Sequence, residues 1–181
     1  KEALARPNPG TPDKNYADRE NVIGYMDAHA HLNHFLGSGQ NTFVGETFNP
    51  LGITKALGDC SKLHGINGAG DIFGMVVDGL TGHDTSGYPD FNFWPTTYTS
   101  THQQAYYKWL ERSWLAGQRI LVQQMVSNEI LCTIKKSLPG GVLSAPCDDM
   151  EIAELQIDNV YAMQDYIDAQ CGGPGEGWFR I

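Results

Sequence analysis

The sequence predicts an α/β fold, and three observations predict it. A run at about 22–32 begins with apolar Val22 and Ile23 and then alternates between two faces. A second short run, Arg119 to Val126, is apolar enough for a buried parallel strand. Helical periodicity fills the segments at about 101–116 and 149–170, so strands and helices alternate as they do around a parallel sheet. The chain has 181 residues, enough for one domain with a sizeable core.

Residues 1–21 hold three prolines among many polar residues and read as an extended arm over the surface. The first strand follows, ending in Asp27-Ala-His29-Ala-His31-Leu32. Side chains alternate along a strand, so Asp27, His29 and His31 share one face while Met26, Ala28, Ala30 and Leu32 share the other, which suits packing under helices.

The next stretch, 33–100, is polar and rich in glycine. A structureless loop of that length is improbable in a compact domain, so short helices are expected near 53–59 and 70–78. Gly68-Ala69-Gly70 is not a dinucleotide fingerprint, because no strand precedes it and the third glycine is misplaced; a tight helix approach explains it better.

The segment at about 101–116 is the strongest helix signal in the chain. Ser100 or Thr101 can cap it, Gln103 or Gln104 can answer from the first turn, and Gly117 stops it. After the strand at 119–126, Ser127, Asn128 and Glu129 stand at its carboxyl end. The final helix, 149–170, starts from a cap at Asp148 or Asp149 and lines Ile152, Leu155, Val160, Met163 and Ile167 along one face. Gly172-Gly173-Pro174 ends it, and a third strand is expected from Trp178.

Two imidazoles on one strand face can converge on a single divalent ion, and zinc suits them. His29 and His31 are therefore the candidate metal ligands, with Asp27 orienting them or touching the ion. The simpler alternative is a pair of histidines that merely falls near a strand end. His34 could extend the metal site but is better read as facing solvent from a loop; His83 could reach over the site to substrate but is better read as a hydrogen-bonded structural histidine; His64 has equal claims as a structural hydrogen-bonder; and His102 is read as a contact in the first turn of the 101–116 helix. Glu46 and Asp71 are possible acids that no spacing singles out. Phe91, Phe93, Trp94 and Tyr98 form an aromatic group better suited to the core of its own loop than to a pocket wall. No serine nucleophile elbow occurs, and no cysteine stands beside an evident base.

The Asp27-x-His29-x-His31 ending resembles the first barrel strand of the amidohydrolase superfamily of metal-dependent hydrolases. Cys60-Ser-Lys-Leu-His64-Gly65, Gly82-His-Asp-Thr-Ser-Gly-Tyr-Pro89 and Thr101-His-Gln-Gln-Ala-Tyr-Tyr-Lys-Trp-Leu-Glu-Arg112 resemble its secreted bacterial, membrane-dipeptidase-like branch. One departure is that characterised membrane dipeptidases carry His-x-Asp here. The resemblance implies the N-terminal part of a (β/α)₈ barrel with a large insertion after strand one, placed over the metal face. It also implies hydrolysis of an amide, peptide or related bond by a metal-activated water, with zinc the expected ion and a small molecule or peptide the substrate. Such barrels need about 250 residues. The remaining ligands and the general base would then lie on later strands, in continuing chain or a second polypeptide, and residues 1–181 alone would not be independently stable. A secreted structural or binding protein on the same scaffold is the alternative.

Net charge is −9, from 12 Lys+Arg against 21 Asp+Glu, with no basic cluster, so nucleic acid is a poor partner. No apolar run reaches the roughly 18 residues of a membrane span. Four cysteines occur without a Cys-x-x-Cys. Cys132 and Cys147 flank a surface excursion containing Lys135-Lys136 and Pro139-Gly140-Gly141, so a disulfide at its neck is expected; Cys60 and Cys171 are left unassigned. An even cysteine count and low lysine content place the protein in an extracytoplasmic, secreted or periplasmic setting.

Overall fold

The structure, a computed structural model, describes residues 24–40, 42–79, 81–85, 100–137 and 145–181. The arm at 1–21, the aromatic group Phe91, Phe93, Trp94 and Tyr98, and Pro139-Gly140-Gly141 lie outside the described residues. Strand β1 is Tyr25–Ala30, followed by the short helices α1 (Ile53–Ala56), α2 (Ser61–His64) and α3 (Ile72–Val77). Helix α4 (Tyr107–Leu115) leads into strand β2 (Gln118–Gln123), then α5 (Glu129–Ser137) and the long α6 (Asp149–Cys171).

The two strands pair in parallel, with Met26 opposite Ile120, Asp27 opposite Leu121 and Ala30 opposite Gln123. Parallel pairing puts both carboxyl ends on one side, where the segments after β1 and β2 meet. Gln124 N donates to Ala30 O at 2.8 Å, and Leu32 N donates to Gln123 Oε1 at 2.7 Å.

This sheet overturns the barrel expectation. Among the described residues it has two strands and does not close, far too little sheet for any part of a (β/α)₈ barrel. The expected packing of β1 under helices is also absent over most of its length, because Met26 is 56% exposed. Trp178 to Ile181 is not a strand. Its side chains fold back instead: Trp178 stacks on Trp114 with centroids 5.7 Å apart, and Arg180 pairs with Asp168 at 2.8 Å. The backbone follows, with Ile181 N donating to Gln164 Oε1 at 2.9 Å.

The core lies where the segment after β1 meets α1, the start of α4 and α6. Leu32, Ile53, Leu57, Tyr106, Tyr107, Met163 and Ile167 are buried there. Met163 and Ile167 are one helical turn apart and project from the same side of α6. Asp148 caps this helix as expected, accepting from Met150 N and Glu151 N. A polar network fixes the loop beyond β1: Asn33 Nδ2 donates to Gln156 O at 2.8 Å, and Gln103 Nε2 donates to Leu32 O at 2.7 Å.

Helix α4 starts six residues later than Thr101. The residues that resemble a cap are used elsewhere: Thr101 Oγ1 donates to Asp71 Oδ2, and Gln103 to Leu32 and Ala105 carbonyls. Helix α5 was not expected. Among its residues Cys132 is buried, and a disulfide joins it to Cys147 with the Cα atoms 5.4 Å apart. Cys60 and Cys171 are free thiols, the first buried and the second exposed.

Candidate metal centres

His29 and His31 stand at the carboxyl end of β1 and point to the same side. Their Nε2 atoms are 2.8 Å apart and their rings meet edge to face. His31 Nδ1 donates to Gln124 O at 3.0 Å, which leaves its Nε2 as a lone-pair donor facing His29. A backbone carbonyl on the far ring nitrogen is how metal-binding histidines are commonly oriented. Asp27 acts on the backbone, its Oδ1 accepting from His29 N at 3.0 Å. Two nitrogens on tetrahedral zinc sit about 3.3 Å apart, so the rings need to part by about half an ångström to hold an ion. Both side chains are exposed.

A second group forms within the long segment between the strands. Cys60, His64, His83 and His102 each offer one ligand atom, and these atoms all lie within 4.8 Å of one another. This group can hold a metal ion. Cys60 caps α2 and His64 is its last residue, so one short helical turn places both on the same face. His83 arrives from a loop held by its backbone N–H on Asn67 O at 3.0 Å. His102 sits in an isolated parallel bridge with Val44, before α4 and not within it.

Two of the internal distances, both to His83, already suit a tetrahedral ion. Cys60 Sγ lies 3.4 Å from His83 Nε2, and His64 Nδ1 lies 3.2 Å from the same atom. Tetrahedral zinc with nitrogen and sulfur ligands keeps them about 3.3–3.6 Å apart. The buried carboxylate of Asp71 stands just outside, its Oδ2 at 3.6 Å from His64 Nδ1 and 3.9 Å from His83 Nδ1. It is held in place by Thr101 Oγ1 at 2.7 Å and by Gly74 N at 2.9 Å.

Burial and the neighbouring imidazoles of His64 and His83 push His102 down to about 3, and burial is the main force lowering His64. Both imidazoles are thus neutral near pH 7, as ligands must be. Burial, aided by the charge of Asp59, pushes the Cys60 thiol up to about 11. Without an ion it is a protonated thiol and a poor nucleophile.

Along the sequence no cysteine stands beside an evident base, and His64, His83 and His102 lie far apart. Here Cys60 touches His83, and the three histidines stack edge to face with centroids 4.7–5.2 Å apart. The Cys60–His64 spacing of one helical turn was the local signal; the convergence of His83 and His102 had none. His34 does not face solvent freely: it is partly buried, packs against Phe43 at 4.8 Å, and is lowered by burial. Glu46 accepts from Asn49 Nδ2 at 2.7 Å.

A groove of about 320 Å³ opens against His64 and Asp71, walled by Phe73, Val76, Leu131 and Ile134. Lys135 of α5 borders it and donates to Thr42 Oγ1 at 3.2 Å; burial lowers its ammonium to about 8. No helix among the described residues is long and apolar enough to cross a membrane. No family model matches the chain, and no curated protein or solved structure matches it.

Proposed function

We propose that the protein is a metal-dependent hydrolase of an amide, peptide or related bond, with His29 and His31 as ligands of the working ion. The observation that carries this reading is the 2.8 Å approach of the two Nε2 atoms at the exposed carboxyl end of β1. Ligands crowd together at strand ends in α/β proteins because the loops there leave room for substrate. A bound zinc-class ion supplies a water of lowered pKa and polarises the scissile carbonyl. The chain itself does the positioning. Gln124 O fixes the ring of His31, and Asp27 fixes the backbone of His29. Exposure of both rings leaves the remaining directions open to water and to a small-molecule or peptide substrate. The resemblance of Asp27-x-His29-x-His31 to the amidohydrolase pattern supports the same class of reaction. The disulfide is compatible with an oxidising, extracytoplasmic compartment, where we place the protein.

The test is hydrolysis of a panel of dipeptides and N-acyl amino acids by the metal-loaded protein and by H29A/H31A. Hydrolysis that vanishes on chelation, returns with zinc and is absent from the double variant supports the proposal. Hydrolysis that persists in the double variant rejects it.

A second reading is a binding or structural protein whose metal serves only the fold. The Cys60 group favours it, since four protein donors leave no position for water. Full metal loading with no hydrolysis of any panel member favours this reading.

A further inference from the structure

We propose that Cys60, His64, His83 and His102 form a closed structural centre for a zinc-class ion, separate in role from the His29–His31 pair, with Asp71 as its orienting carboxylate. Four protein donors of the cysteine and histidine type, with no fifth position, define a structural rather than a catalytic zinc site.

The surroundings are built around these side chains. Gly68 has φ +71°, and a Cβ there would come within 2.5 Å of His83 Nδ1. A Cβ on Gly74 would come within 2.3 Å of Asp71 Oδ2. Two close approaches by glycine thus make room for one ligand and for the carboxylate behind it. His83 Nδ1, the ring nitrogen opposite the candidate ligand atom, is buried without a hydrogen-bond partner among the described residues and lies on the Asp71 side. The Asp71 carboxylate, held by Thr101 and Gly74, faces that nitrogen at 3.9 Å, the side from which a carboxylate orients a metal-bound histidine.

The segment also needs such a centre. Helices α1, α2 and α3 have four, four and six residues. Isolated helices of that length do not hold in water. Ile53 and Leu57 anchor α1 in the core, but beyond it Ile66, Ile72, Val76 and Val77 are exposed, so apolar burial contributes little around α3. The four donors come from the start and end of α2, the loop at His83 and the bridge at His102, so one ion ties the whole segment to the base of α4. Metal binding free energy then becomes folding free energy.

The experiment is cobalt substitution of the full-length protein, read by absorption, with metal content measured in parallel. A thiolate-to-cobalt charge-transfer band in the near ultraviolet and intense tetrahedral d–d bands are expected. H29A/H31A should retain both, whereas C60S should lose the charge-transfer band and H102Q should weaken the tetrahedral bands. Zinc content should fall by one equivalent in C60S, and chelation should lower the melting temperature of wild type but not of C60S. D71N keeps the donors and should bind zinc about 10–100-fold more weakly. No charge-transfer band in wild type, or a band unchanged in C60S, overturns the proposal. Should C60S fail to fold, the wild-type cobalt spectrum and the weakened tetrahedral bands of H102Q decide the matter. Because H29A/H31A is spectroscopically silent here, failure of the hydrolase reading leaves this outcome intact.

Discussion

Thr101 Oγ1 donates to Asp71 Oδ2 across 2.7 Å, and both side chains are buried. The bond joins the N-cap of α3 to the residue next to His102, so the carboxylate faces the histidine group in one fixed pose. Thr101→Val keeps the shape and removes the donor. A buried acceptor losing one partner costs about 1–3 kcal/mol. The expected outcome is a destabilisation of that size in urea unfolding. Unchanged stability would show that Asp71 finds another donor.

The long helix was legible because its cues are local: an aspartate cap and apolar residues at helical spacing. Both strands were legible as apolar runs, and the His29–His31 pairing followed from strand alternation. The start of α4 was misread because Thr101 and Gln103 are capping types whose side chains serve tertiary contacts. Helix α5 was missed because its amphipathic pattern is only nine residues long and ends in two lysines. The barrel failed because strand pairing is not a local property: Trp178 to Ile181 has a strand's composition, yet stacking on Trp114 and the pull of Asp168 decide its course. The Cys60–His102 group was beyond reach for the same reason, since its members are scattered over 43 residues.

Gln156 holds Val126 from both sides, its Nε2 donating to Val126 O at 2.6 Å and its Oε1 accepting from Val126 N at 3.1 Å. Its own backbone carbonyl accepts from Asn33. One fully buried residue of α6 thereby fixes the exits of both strands. Gln156→Leu strands two backbone groups, and a loss of about 2–4 kcal/mol is expected at roughly 1–3 kcal/mol per unsatisfied group, softened where water enters. Amide exchange at Val126 should accelerate in the variant. Unaltered exchange would show that the clamp is dispensable.

Asp168 gathers the C-terminal segment through Gly175 N, Gly177 N and Arg180 Nη1. The Gly175 N–H first, then Arg180 and the Gly177 N–H, hold its carboxyl below the usual carboxylate range. A folded value below the unfolded one means the unfolded chain takes up the proton more readily. The contribution is therefore fully present above the ordinary carboxylate value near 4 and is lost as pH falls through the folded value. Thermal melts between pH 2 and pH 6 should show a shallower acid loss in D168N than in wild type. Parallel acid limbs would remove Asp168 from the account.

Cys132 and Cys147 close a loop of 15 residues, and Cys132 is wholly buried on α5. In the chain-entropy view, a loop of that length contributes about 3 kcal/mol by restricting the unfolded state. For a chain of this size that corresponds to a melting-temperature loss on the order of 10 °C. C132S/C147S should show that loss. C171S should not, because that thiol is exposed and free. The double variant should also loosen α5, which carries Leu131, Ile134 and Lys135 to the groove beside His64 and Asp71. A thiol assay on the native protein gives the independent check. Cys171 should react at once, Cys60 only on unfolding, and Cys132 and Cys147 only after reduction. Alkylation of Cys132 or Cys147 in freshly purified, unreduced protein would remove the bridge and, with it, the case for an oxidising compartment.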